Sequence, residues 1–155
     1  MMSYEHMMQL AMEQAKNAAK CGEVPVGAVL ISESGELLSA ACNSVIGHHD
    51  PCAHAEILAL RKAGRIIGNY RLPGTVLCVT IEPCIMCMGA IVHARVSRVI
   101  YGARDPKWGA AGSLYDFSAD ARLNHHPEII RGVCEAECRE MMQAFFRERR
   151  IKDAC

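Results

Sequence analysis

Two cysteines, Cys84 and Cys87, stand three residues apart in EPCIMCMGA, directly behind Pro83. With Pro83 at the first helical position, both fall in one turn and on one face, so their sulfurs can reach a common point. The free N–H groups and positive dipole end of such a helix favour negative charge and so stabilise thiolates. The spacing alone fits three uses: a redox dithiol, half of a structural zinc site, or small residues filling a core.

The stretch HAE, His54 to Glu56, opens the preceding helical pattern. Taken singly, such a histidine packs or caps a helix, and such a glutamate is solvated. Taken with the cysteines, the two residues read differently. Two helices separated by one strand of a parallel sheet can present their N-termini at the same sheet edge, where His54, Cys84 and Cys87 converge. Structural zinc is normally closed by four protein ligands, whereas three leave a position for water. Two thiolates and a neutral imidazole also offset the charge of Zn2+. The metal lowers the pKa of its water from about 15.7 towards 7. Glu56 emerges at the same helix end but points elsewhere, as a proton shuttle should.

These residues need a scaffold, and the hydropathy pattern supplies one. Apolar residues recur at helical spacing over residues 3–20, ahead of Gly22. VPVGAVLIS (24–32) and ELLSAAC (36–42) flank a short turn with Gly35, which predicts an antiparallel hairpin. Asp50 as N-cap and Pro51 in the first turn introduce a helix over 52–64, closed by Gly64. A third strand (74–81), a helix from Pro83 to about Ala94 and a fourth strand (96–103) follow. Residues 102–127 read as a glycine-rich loop with a short helical stretch, long enough for a parallel crossover to a fifth strand over 128–133. A closing helix over 134–150 places Met141, Met142, Phe145 and Phe146 on its apolar side. The expectation is a three-layer α/β/α fold: one five-stranded mixed sheet with helices on both faces, in a single domain spanning 1–155.

Composition sets the wider limits. A chain of 155 residues can bury roughly 70% of the surface its unfolded form exposes. Hydrophobic residues at 51% and charged residues at 22% fit a globular protein rather than a disordered one. The N-terminus mixes charged and amide residues with apolar ones, unlike a signal peptide, and no apolar run is long enough to span a membrane, so a cytoplasmic location is expected. Nine cysteines, an odd number, suit reduced thiols better than a disulfide framework. In that reading Cys21, Cys42, Cys78, Cys134, Cys138 and Cys155 are plain thiols, Cys52 is a small buried residue, and His48, His49, His125 and His126 are loop histidines. Net charge is zero, but residues 1–60 carry −5 and residues 61–110 carry +6, and RERRIK (Arg147–Lys152) adds a basic cluster. This distribution fits either a local basic face or an ordinary solvated surface of mixed charge.

H-x-E with a downstream P-C-x-x-C is the signature of zinc-dependent nucleobase deaminases. Within that superfamily, which includes the cytidine and deoxycytidylate deaminases, the chain resembles the bacterial tRNA adenosine deaminases. The resemblance runs from EVPVGAVL (Glu23–Leu30) to FFRERR (Phe145–Arg150), through HDPCAHAEILAL, NYRL, EPCIMCMGA and GARDPKWGAAGSLYD. It implies a homodimer that converts adenosine to inosine at the first anticodon position of a tRNA anticodon stem-loop. It also implies one zinc per subunit on His54, Cys84 and Cys87, Glu56 as general acid and base, and Asn43 hydrogen-bonded to the target purine. Arg104, Asp105, Lys107, Phe146 and Arg150 fall where that family meets the anticodon loop. Trp108 is bulkier than the family pattern expects. A deaminase of free guanine or cytosine would use the same metal site. A non-catalytic zinc or RNA-binding module would instead close the metal with a fourth ligand, and a redox dithiol would hold no zinc.

Overall fold

The computed structural model describes residues 2–154. Helix α1 (Tyr4–Lys20) leads into the hairpin of β1 (Gly27–Ile31) and β2 (Leu37–Cys42). It is followed by α2 (Ala55–Ile67), β3 (Val76–Ile81), α3 (Ile85–Ala94), β4 (Arg98–Ala103), β5 (Glu128–Ile130) and α4 (Glu135–Asp153). The strands form one sheet in the order β2-β1-β3-β4-β5. Strand β1 runs antiparallel to β2 and β3, while β3, β4 and β5 are parallel. This is the mixed five-stranded sheet that the sequence predicts.

Successive strand residues face opposite layers, and each layer has its own helices. Ala28, Leu30, Leu77, Val79, Val99 and Tyr101 pack with Ala55, Ala59 and Leu60 of α2 and Met88 and Ile91 of α3. On the other face Val29, Ile31, Cys78 and Ile100 meet Met7, Met8 and Ala11 of α1 and Cys138 of α4. Burial on both sides makes every residue of β1 apolar or glycine. Strands β2, β3 and β4 share one direction, so α2, entered from β2, and α3, entered from β3, start at the same end of the sheet and on the same face.

Several boundaries differ from the sequence expectation, for physical reasons. Asp50 caps a turn rather than the helix: its Oδ1 accepts the Cys52 N–H at 2.8 Å, and α2 starts only at Ala55 with His54 as N-cap. Gly64 lies inside α2, which continues to Ile67. Gly68, at φ 75°, ends it in the left-handed conformation that glycine adopts without strain. Pro83 precedes the N-cap of α3, which is Cys84, so Cys87 becomes the third helical residue. Residues 104–127 form turns and no helix, and β5 is a three-residue strand. Helix α4 extends to Asp153. No helix of the described residues is long and apolar enough to cross a membrane.

Candidate active site

His54 has extended backbone angles (φ −73°, ψ 152°) and makes no side-chain cap bond. Its imidazole instead turns across to the start of α3, where Nδ1 lies 3.6 Å from Cys84 Sγ and 3.5 Å from Cys87 Sγ. One donor atom of each of these three residues lies within 4.8 Å of the others, and no other such cluster occurs among the described residues. A tetrahedral zinc with Zn–S of about 2.3 Å and Zn–N of about 2.0–2.1 Å separates nitrogen from sulfur by about 3.5 Å. The donor set and its spacing therefore fit zinc.

Protonation in the metal-free cluster shows how closely its three groups interact. Cys84 is lowered to about 4, chiefly because Cys87 beside it donates a hydrogen bond, with His54 adding to the effect against the cost of burial. Cys87 is raised for the reciprocal reason and by its burial. His54 is raised above its ordinary value by its bond to Cys84. A dication binding here must displace those protons, so its affinity falls as pH is lowered.

Glu56 lies in the first turn of α2, 3% exposed. Its Oε1 is buried with no hydrogen-bond partner. Burial pushes its carboxyl up to about 7, against opposing contributions from its own backbone N–H and from His54. A group with that pKa accepts and returns protons near neutrality. A buried carboxyl with one oxygen unpartnered is costly in a purely structural role, which makes it a candidate functional group.

Asn43 follows β2 and is half-buried. Its Oδ1 accepts the Ala55 N–H at 3.0 Å, taking the capping role at α2 that His54 leaves vacant. The oxygen is thereby committed, and the Nδ2 amino group is the end left to meet a ligand. The next loop is held by Glu23, buried behind it, whose two carboxylate oxygens accept the N–H groups of Ile46 (3.0 Å) and Gly47 (2.8 Å).

The loop after β4 carries three more sequence-predicted residues. Arg104 and Lys107 are exposed. Asp105 organises the loop itself, its Oδ1 accepting the N–H groups of Lys107 and Trp108 at 3.1 and 3.2 Å. Trp108 is 64% exposed. A bridge between Cys84 and Gly109 lays this loop against the metal cluster. Phe146 and Arg150 do not join the cluster, because α4 packs on β4 across the sheet from α2 and α3. The C-terminal part of α4 nonetheless lies beside Pro25, at the sheet end where the Asn43 N–H bonds to the Val26 carbonyl. Phe146 is half-exposed there and meets Phe145 edge-on rather than entering the core.

Cys52, expected to be buried, is exposed on the 50–53 turn and stands apart from the cluster. The eight described cysteines form no disulfide, and Cys155 lies outside the described residues. His125 and His126 bond to the Val96 and Asp120 carbonyls, which makes them loop fasteners. The sequence reading missed Glu82, whose buried carboxylate accepts four hydrogen bonds from the loop after β4. An acid ending an apolar strand, with no basic neighbour, was the available signal.

Residues 1–103 match the cytidine and deoxycytidylate deaminase zinc-binding region. The chain is 46% identical over 146 residues to a tRNA-specific adenosine deaminase of Haemophilus influenzae, covering 94% of this chain and 84% of that protein. A solved structure from a study of A-to-I editing by tRNA:A34 deaminases at the wobble position is 42% identical, with a TM-score of 0.85, over 88% of this chain and 98% of that one. A guanine deaminase from Bacillus subtilis is more distant, at 35% identity and a TM-score of 0.65, over 76% of this chain and 74% of that one. The chain belongs to the cytidine and deoxycytidylate deaminase family, and within it to the tRNA-specific adenosine deaminases.

Proposed function

We propose that this protein hydrolytically deaminates adenosine to inosine at the wobble position, the first anticodon position, of a tRNA. The observation that carries the reading is the convergence of His54, Cys84 and Cys87 beside a buried Glu56 with one carboxyl oxygen unpartnered. His54 Nδ1 and the sulfurs of Cys84 and Cys87 are the atoms that would hold one zinc per subunit. Zinc held by this donor set acidifies water and supplies hydroxide at neutral pH.

The chain's own residues do the rest. Glu56 takes a proton from the attacking water and delivers it to N1 of the adenine as C6 becomes tetrahedral. It then takes the proton of the new C6 hydroxyl and passes it to the departing amino group, so that ammonia leaves and inosine remains. Asn43, oriented by the bond from Ala55 to its oxygen, has its N–H donors free, which suit an acceptor nitrogen of the purine. Arg104, Lys107 and Arg150 are free to meet phosphates, and Trp108 and Phe146 offer aromatic faces to unstacked loop bases. Asp105 serves by holding the loop that carries Arg104, Lys107 and Trp108. Extruding a base from an anticodon loop costs less than opening a duplex.

The activity belongs, in this reading, to a single domain spanning 1–155 that works in the cytoplasm as a homodimer. Support for a dimer comes from a cleft along α2 and α3 lined by Ile57, Leu60, Tyr70, Ala90 and His93, of which Tyr70 is exposed. The deciding experiment incubates the zinc-loaded protein with tRNAs that carry adenosine at the first anticodon position and sequences the product for A read as G. Inosine at that position is the expected result. Ammonia from free guanine or cytosine with unedited tRNA would transfer the same zinc chemistry to a small-molecule substrate.

A further inference from the structure

We propose that Glu82 is a positioning residue that fixes the loop 105–113 against the metal-bearing start of α3 and so governs how tightly the substrate is held. Glu82 is 1% exposed and ends the segment that leads directly into Pro83 and Cys84. Its Oε1 accepts the Asp105 N–H at 3.2 Å and the Ser113 hydroxyl. Its Oε2 accepts the N–H groups of Ala111 at 3.1 Å and Ser113 at 3.0 Å. All four donors belong to one loop, the loop that carries Lys107 and Trp108.

Two further contacts secure the same segment. The Ala110 N–H donates to the Pro83 carbonyl at 2.8 Å, and Arg131 Nη2 donates to the Ala111 carbonyl at 3.0 Å. The loop is thus tied through its donors to Glu82 and through an acceptor to Arg131. Gly109 sits over the Glu82 carboxylate, where a Cβ would come within 2.4 Å of it. The position admits only glycine while the clamp is closed. Glu82 has no lysine or arginine partner among its bonds, so three N–H groups of the loop and the Ser113 hydroxyl satisfy the buried carboxylate.

Two variants test the proposal by a pattern that general destabilisation does not produce. In Glu82→Gln the amide oxygen can keep the Ala111 and Ser113 N–H groups, while the amino group turns to the Ser113 hydroxyl and abandons Asp105. Residue-resolved hydrogen exchange should then speed up about tenfold at Asp105 and by less than about threefold at Ala111 and Ser113. In Glu82→Ala all three amides should exchange at least about tenfold faster. Both variants should keep one zinc per chain by metal analysis. Glu82→Ala should raise KM for an anticodon stem-loop about tenfold while kcat stays within about threefold.

The KM comparison rests on the RNA-deaminase reading, whereas exchange and zinc content do not. A parent protein without RNA turnover would therefore defeat that reading and leave the Glu82 clamp to be decided by exchange. Unchanged exchange, loss of zinc from folded Glu82→Gln, or a fall in kcat at constant KM would each overturn the proposal. If Glu82→Ala does not fold, the selective effect at Asp105 in Glu82→Gln decides it.

Discussion

A carboxyl group that is 3% exposed, with one oxygen lacking a partner, costs folding free energy once it ionises. Glu56→Gln keeps the shape of the side chain and removes that ionisation together with the proton shuttle. The zinc-loaded variant should retain one metal per chain and lose at least about 10²-fold in kcat on tRNA. Near-parental turnover would refute the role. The metal-free protein gives a second readout. Burial raises the folded-state pKa of Glu56 from 4.5 to about 7, so between these values the folded chain binds a proton that the unfolded chain releases. Stability from this group is present below about pH 4.5 and is lost as pH rises through about 7. The metal-free variant should therefore match its parent near pH 4.5 and exceed it by up to about 3 kcal/mol at pH 8, read from urea melts at both values. An equal difference at the two pH values would remove ionisation as the cause.

At the scale of elements, buried carboxylates set the position of both loops beside the cluster, one from each side. Glu23 holds Ile46 and Gly47 in the loop that follows Asn43. Glu23→Ala should lower stability by about 1–3 kcal/mol in urea melts and speed hydrogen exchange at the Ile46 and Gly47 amides first. Uniform acceleration across the sheet would show a global effect instead. These clamps mark the limit of what local pattern carries. The sheet and its helices were legible because β1 and β3 are short, nearly unbroken apolar runs and α1 and α2 keep an apolar period of 3.6. His54, Cys84 and Cys87 were legible because ligand spacing is itself local. The helix starts were not: Asp50-Pro51 and Pro83 are good local start signals, yet α2 and α3 begin at Ala55 and Ile85. Each entry instead leaves a metal-facing residue, His54 or Cys84, at the cap. Glu82 escaped notice because its partners lie 23 to 31 residues further on, in a segment without periodicity.

For the whole molecule, a net charge of zero does not decide the attraction for a polyanion, which depends on where the unpaired cations lie. Arg61, Arg98, Arg122, Arg131, Arg139 and Arg147 are paired with carboxylates of the chain. Arg104, Lys107 and Arg150 form no ion pair among the described residues and are exposed. If each neutralises one phosphate of a single-stranded loop, log K should fall against log salt with a slope of about −2. Affinity for an anticodon stem-loop should then weaken about 20-fold between 50 and 200 mM salt. Replacing any one of the three with alanine should make the slope shallower by about 0.7 while weakening binding to all sequences alike. Fluorescence anisotropy titrations across that range provide the measurement. A flat salt dependence would mean that these side chains meet no phosphates. A neutral free base binding the same zinc site would give that flat dependence, so the slope separates the RNA reading from its small-molecule rival without requiring turnover.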